Sequence, residues 1–472
     1  MAVGGLTARA GRNPVPITAV AEDGFDAWCG RQPARIKAWA QSGGFRGRPG
    51  QISLLADADG ALERAFLGLP KPPEGSQSGP DGTLWAFAAC PFGLPEGTYR
   101  LDGRTGAARA FDAALGWALG TYRFTRYRKA ERAPARLVWP AAADRKAVEN
   151  AAEGIFLVRD LVNTPAGDLG PSELAGEARR IGRAFGARVS VITGNKLLSA
   201  NYPAIHAVGR AAADAPRLID LTWRGPGRGR LPLVAVCGKG VCFDTGGLDL
   251  KSAAGMLIMK KDMGGAAQAL GLARMIMGAR LPVRLRVLIP AVENAVAGNA
   301  YHPQDVITTR KGITVEVGNT DAEGRIVLSD ALAEASTQKP DLLIDMATLT
   351  GAARVALGPG LPALFCNDDG WADKAVAAGA AAGDPLWRLP LWAPYREMLK
   401  SPVADINNIS SGPHGGAITA ALFLQEFVDP GIPWIHLDFM AWNSASRPGR
   451  PEGGEAQGLR ALFALIEREF AA

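Results

Sequence analysis

Through the second two-thirds of the chain, short unbroken apolar runs alternate with longer stretches in which apolar residues recur every three or four positions. The short runs are ARVSVIT, the stretch from Leu231 to Phe243, VRLRVLIPAV, ITVEV, DLLIDMAT and PWIHLDF. Rich in Val, Ile and Leu, they predict strands buried on both faces. Between them the spacing predicts a helix opened by Pro171 and Ser172, another from Gly264 to Met277, and a third from Gly324 to Ser336. Strands and helices alternating in this way predict an α/β fold whose central, mostly parallel sheet is flanked by helices. Ligands of such sheets gather at the carboxyl ends of strands. Lys239 to Asp244, Asp321 to Arg325 and Thr348 to Gly351 all fall at such ends.

The first part of the chain reads as a smaller α/β domain. ISLLADADGALERAFLGL predicts a hairpin turning at Asp57-Ala58-Asp59-Gly60, LWAFAAC a buried strand, and AARAFDAALGWALGTYRF an Ala-rich helix. Lys71 to Gly82 is a surface loop by its Pro, Gly and Ser content. From Ala141 to Val162 strong helix formers run without a proline, as a helix joining two domains would. At 472 residues the chain exceeds one ordinary core. The expected division is an N-terminal accessory domain over residues 1–139, a linking helix over 140–162, and a catalytic domain over 163–472.

Composition excludes more than it suggests. The net charge of +6 comes from scattered Arg and Lys, unlike the concentrated basic face of a nucleic-acid binder. No apolar stretch approaches the ~20 residues that cross a bilayer, and the N-terminus lacks the basic-then-apolar order of a secretory signal. Five cysteines, an odd number with no C-x-x-C pair, argue against a disulfide scaffold and for a reducing cytoplasm. Cys237 and Cys242 flank Lys239 and could ligate a metal. Their place in an apolar strand favours small buried hydrophobes instead. His206, His302, His414 and His436 read as core or surface histidines.

The chemistry lies in seven charged residues on three loops: Lys239 and Asp244 in GKGVCFDTGG, Lys251 and Asp262 in LDLKSAAGMLIMKKDMGG, and Asp321, Glu323 and Arg325 in NTDAEGR. Four carboxylates offer enough oxygen for two hard divalent cations, leaving basic groups to polarise a substrate, so a metallohydrolase is the leading reading. In an extended loop Asp321 and Glu323 would point to one side, and small neighbours such as Ala322 and Gly324 permit close approach to an ion. Asp262 could equally be a helix N-cap, and Arg325 a structural ion-pair partner. Lys239 can ligate only as a neutral amine, a form that a nearby dication favours. A solvated role suits it poorly, because it ends an apolar strand between two glycines.

GKGVCFDTGGLDLK, MKKDMGGAA, VEVGNTDAEGRIVLSDAL and DMATLTGA closely resemble the leucyl aminopeptidases of the two-metal cytosolic type, peptidase family M17. The resemblance spans about Leu161 to Val428. It implies that Asp244 and Glu323 bridge two ions, Zn or Mn, with Asp321 on one ion and Lys239 and Asp262 on the other. It further implies Lys251 facing the scissile carbonyl, a bicarbonate at Arg325 as general base, and Met259, Thr348, Gly351 and Ala353 near the first side chain's pocket. Peptide substrates, neutral N-terminal residues and a homohexamer belong to the same expectation.

The chain also departs from that pattern. Leu257 stands where an acidic residue is usual, and Pro303-Gln304-Asp305 replaces Pro-Gly-Asp. Phe439-Met440-Ala441-Trp442-Asn443 replaces Ile-Ala-Gly-Thr-Ala, and the tail after it lacks Gly-Ala-Thr-Gly-Arg-Pro. These changes put leucine preference in question while all seven charged residues remain. Two rivals differ in kind: a DNA-binding protein on the same scaffold, supported only by mild positive charge, and a silent homologue, whose mark would be a lost ligand. A P-loop around Gly238-Lys239-Gly240 fails for want of its G-x-x-x-x-G-K-[ST] frame.

Overall fold

The computed structural model describes residues 4–11, 13–71, 82–103, 105–129 and 131–471, so most of the loop expected from Lys71 to Gly82 lies outside the described residues. The chain folds as two compact units, Met1–Phe156 with Ser444–Glu452, and Leu157–Asn443 with Gly453–Ala472. The division falls inside one long helix, Arg145–Asn163. Nothing in the hydrophobic pattern points to the return of Ser444–Glu452 to the first unit.

That first unit holds a six-stranded sheet, and its hairpin Ile52–Ala56 with Leu62–Leu69 forms as the pattern predicts. The LWAFAAC run is corrected: Thr83–Ala88 is a helix, not a strand. A short, uniformly apolar run carries no period, and its neighbour decides. The helix Ala107–Gly120 presents glycines to it, so close that a Cβ at Gly116 would lie 2.1 Å from the Leu84 carbonyl and one at Gly120 2.3 Å from that of Ala88. Two helices can approach at that distance only across glycine.

The second unit is built on a nine-stranded sheet. Its centre is parallel: Trp434–Asp438, Leu342–Ala347, Leu233–Gly238 and Arg284–Asn294 lie side by side. Antiparallel strands flank this centre, Ala363–Cys366 on one side and Arg217–Arg224 then Arg188–Thr193 on the other. The helices Pro171–Phe185, Gly264–Gly278 and Leu459–Phe470 pack together on one face. On the other, Pro203–Gly209, Glu323–Ser336 and Gly416–Gln425 cover a core reached by Ala235 and Cys237. The α/β expectation is met.

One expected strand is broken in two. Leu231 to Phe243 resolves into Leu233–Gly238 and Gly240–Asp244, interrupted at Lys239. The neighbouring strand pairs Leu288 with Cys237 and Ala291 with Gly240, which sets Pro290 opposite Lys239. Proline has no N–H to continue the ladder. Lys239 instead donates its N–H to the Met346 carbonyl (3.0 Å) and accepts from Ala266 N (2.8 Å). The break turns the lysine side chain toward the ends of the central strands.

Candidate metal centre

Three short segments meet at those strand ends. Asp244 closes its strand and is held by Gly246 N and Asn294 Nδ2, each 2.8 Å from Oδ1. Asp262 sits in the 3₁₀ turn Met259–Met263, which feeds the helix Gly264–Gly278. The N-cap alternative does not hold for it, since Asp262 Oδ1 accepts from Thr348 Oγ1 at 2.8 Å and no side chain caps that helix. Glu323 opens the helix Glu323–Ser336 with its side chain buried.

The expected extended loop at Asp321 and Glu323 is corrected. Asn319 Oδ1 accepts the Asp321 N–H at 2.6 Å and winds Thr320–Ala322 into a 3₁₀ turn. The two carboxylates therefore divide. Asp244, Asp262 and Glu323 place an oxygen each within 4.8 Å of one another; Asp321 stands outside that trio but adjoins Asp244 directly and shares with it the Lys251 ammonium, 2.8 Å from Asp244 Oδ2.

Lys239 fills the middle. Its Nζ lies 2.7 Å from Asp262 Oδ2, 2.8 Å from Glu323 Oε1 and 3.3 Å from the Thr348 carbonyl. Its stem passes over Gly324, where a Cβ would stand 2.4 Å from Lys239 Cε. Any side chain at Gly324 in the NTDAEGR run would have to displace the Lys239 stem from this position.

Charge is unbalanced here: four carboxylates face the Lys239 and Lys251 ammonium groups, with the buried Lys261 ammonium 4.0 Å from Asp262 Oδ1, so the acids still outnumber the bases. Burial first, then Asp244, pushes the Glu323 carboxyl up to about 8, and burial raises Asp321 to about 6. Burial alone would lower Lys239 and Lys251, but Asp262, Glu323 and Asp244 more than offset this for Lys239, and Asp244 does so for Lys251; both end above the ordinary lysine value. Glu323 Oε2 accepts no hydrogen bond from any described residue, and Oε1 meets only the Lys239 ammonium, at 2.8 Å. Buried oxygens of this kind, in surplus over their counter-charges, fit divalent cations. Cys237 and Cys242 are not part of the cluster. Both lie in the strands with thiols raised by burial, and the Cys237 thiol reaches the Ala331 carbonyl at 3.6 Å.

Arg325 is nine-tenths buried and among the described residues makes one hydrogen bond, Nη1 to the Asn408 carbonyl at 2.6 Å. Its Nε has no partner among the described residues, and no carboxylate pairs with it there. Burial lowers its pKa to about 10. The structural ion-pair alternative therefore fails. Thr348 links directly to Asp262, Met259 is buried in the same turn, and Gly351 is exposed at a helix start. Ala353 is not brought to the carboxylates: its side chain packs with Ala363, Phe365, Ala417 and Ala421.

Several supporting residues escaped the sequence reading. Asn294 holds Asp244 and also the Thr320 carbonyl (3.0 Å), to which Tyr301 Oη donates at 2.6 Å. Asn408 Oδ1 accepts from Gly318 N and Asn319 N. Asp438 accepts from Leu349 N and Thr350 N and fixes the turn beside Thr348. Each lies far from its partner in sequence, and only the burial of a polar residue at a strand end could have hinted at it. A cleft of about 640 Å³ at the edge strand Trp387–Arg388, lined by Asn367, Arg388 and Arg396 among others, contains none of the seven charged residues.

Known proteins give the same picture. Residues 156–463 match the catalytic domain of the cytosol aminopeptidase family, and residues 15–140 match the M17 aminopeptidase N-terminal domain. A probable cytosol aminopeptidase of Roseiflexus castenholzii is 42% identical over 364 residues, 74% of each chain. The crystal structure of a cytosol aminopeptidase from Coxiella burnetii is 49% identical, with a TM-score of 0.91 over 98% of this chain and 99% of that one. A bottromycin maturation enzyme in complex with Mn superposes with a TM-score of 0.85 at 37% identity, over 96% and 99% of the two chains. With both domains matched and the buried carboxylates assembled, the chain belongs to the cytosol aminopeptidase family and is a metal-dependent aminopeptidase, a hydrolase acting on peptides.

Proposed function

We propose that the three loops hold two divalent ions, Zn or Mn, and that the enzyme releases neutral, mainly apolar N-terminal residues. The observation that carries this reading is the buried surplus of carboxylate around Glu323, whose Oε2 accepts no hydrogen bond from any described residue and whose Oε1 meets only the Lys239 ammonium. Asp244 and Glu323 would be shared by both ions. Asp321 would complete one site, and Lys239 with Asp262 the other. When bound, such ions lower the proton affinity of water enough for it to act as a nucleophile near neutral pH.

The remaining steps belong to the chain's own groups. Lys251 stands at the rim of the cluster with its ammonium charged, suited to donate to the carbonyl oxygen as it gains negative charge. Stabilisation of that kind contributes roughly 2.7–4 kcal/mol. Arg325, a buried guanidinium without a carboxylate partner, suits a small anion such as bicarbonate, which would take up the proton. Asp262 would hold the free amine of the peptide, selecting an unblocked N-terminus. Met259, Thr348 and Gly351 would border the first side chain; Ala353, buried behind the helix Gly351–Leu357, would act only by holding that helix. Leu250 and Leu257, 61% and 80% exposed on the neighbouring loop, supply an apolar rim.

A homohexamer in the cytoplasm accompanies this reading. No helix among the described residues is long and apolar enough to cross a membrane. The test is Glu323→Ala: hydrolysis of leucyl anilide should be abolished even in metal-replete buffer. Substantial retained activity would overturn the ligand assignment.

A further inference from the structure

The two stretches that leave the aminopeptidase pattern prove to be physical partners. Trp442–Asn443 pairs antiparallel with Gly453–Gly454. Just beyond that ladder, Gln457 Oε1 accepts the Ala441 N–H at 2.7 Å, and Glu455 N donates to the Ala441 carbonyl at 3.0 Å. Asn443 Nδ2 donates to Glu455 Oε2 at 2.7 Å across twelve residues of sequence. Glu455 is in turn gripped by Arg159, Nε to Oε1 at 2.9 Å and Nη2 to Oε2 at 3.2 Å, with the arginine fully buried.

This clamp acts on a segment that needs holding. Ala441 has φ +54°, a left-handed conformation that favours glycine, and its N–H and C=O are the two groups the 455–457 stretch takes. The segment also borders the metal loop. The Cβ that Gly264 lacks would lie 2.5 Å from Ala441 Cβ, 3.0 Å from Thr348 Cγ2 and 3.9 Å from Phe439 Cε2. Gly264 is two residues beyond Asp262, so Phe439 to Asn443 form a wall beside the Met259–Thr348 corner. A buried carboxylate is costly unless fully partnered. Bonded to Arg159, Asn443 and its own neighbour Ala456 N (2.9 Å), Glu455 can take one direction only, and it fixes that of Asn443.

We propose that Glu455, oriented by Arg159, and Gln457 are positioning residues that lock the Ala441–Asn443 wall of the first-side-chain pocket, so that the two divergent stretches set specificity as one unit. This rests on the reading that the Met259–Thr348 corner receives the first side chain. It explains why both stretches differ together: changing one alone would remove the hydrogen bonds that hold the left-handed Ala441 backbone and break the Asn443–Glu455 contact.

The test compares kcat/KM for leucyl, phenylalanyl and alanyl anilides in the wild type, Asn443→Ala, Glu455→Gln and the double variant, with metal content measured on each. Each single change should move the leucyl-to-alanyl ratio by roughly three- to tenfold, mainly through KM and at unchanged metal content. The double should move it no further than the larger single. An equal loss on all three substrates with the ratio unmoved would reduce the clamp to a structural role and overturn the proposal. So would effects that multiply in the double. If Glu455→Gln does not fold, Gln457→Ala combined with Asn443→Ala reads the same coupling through the Ala441 N–H. Met259→Ala separates the two layers. A ratio moved by Met259→Ala but not by the clamp variants sinks the clamp alone; a ratio moved by none sinks the pocket assignment and the clamp with it.

Discussion

At the scale of single residues, Lys239 and Lys251 share a charge and a neighbourhood but divide the work by depth. Lys239 is 3% exposed between Asp262 and Glu323, with its backbone tied to two neighbouring segments. Lys251 is more open and rests on Asp244 and Asp321. Lys251→Met should therefore lower kcat by about 10²–10³ with KM and metal content nearly unchanged. A loss of bound metal in that variant would show that Lys251 builds the site instead of acting on the substrate. The seven charged residues were legible in the sequence because they concentrate on three glycine-rich loops at strand ends, with Lys239 picked out by the family resemblance instead of by spacing. Asn294, Tyr301, Asn408 and Asp438 were not, because an amide, phenol or carboxylate that braces a loop from a distant segment has no local signature.

Among the elements, the parallel strands carry a second buried polar group whose role is cohesion. Asp345 in Leu342–Ala347 accepts from Trp434 Nε1 at 2.7 Å and meets His436 Nδ1 at 2.6 Å, tying adjacent strands beneath the site. Burial pulls the His436 pKa down, but the charge and hydrogen bond of Asp345 more than offset it, and it ends above its ordinary value. A histidine held more tightly when protonated adds stability that is complete below about pH 6.5 and is lost as pH rises through its folded value. The melting temperature of the wild type should thus exceed that of Asp345→Asn most at about pH 6, with the gap narrowing by about pH 9. A gap that widens with pH would contradict this. The helices and central strands were readable from apolar spacing, and two of the three misread stretches share one cause. Neither Thr83–Ala88 nor the break at Lys239 is decided by its own residues; the first depends on Gly116 and Gly120, the second on Pro290.

For the whole molecule, the two units differ in what they contribute. The sheet of the larger unit ends in the three carboxylate-bearing loops, while the smaller unit carries none of the seven charged residues. The return of Ser444–Glu452 to the smaller unit follows from tertiary packing, where Arg450 stacks 3.6 Å from the Trp85 ring, and no periodicity announces such a contact. Light scattering should give six times the mass of one chain for the homohexameric reading. A stable monomer with full activity would contradict it.

The central claim is that the three loops form a two-ion centre. Zn or Mn titrated into the metal-free protein, with bound metal and leucyl anilide hydrolysis read on the same samples, tests it most directly. Two equivalents per chain should bind tightly, with activity complete only at the second. Full activity without metal, or a single tight equivalent with activity already complete, would contradict it.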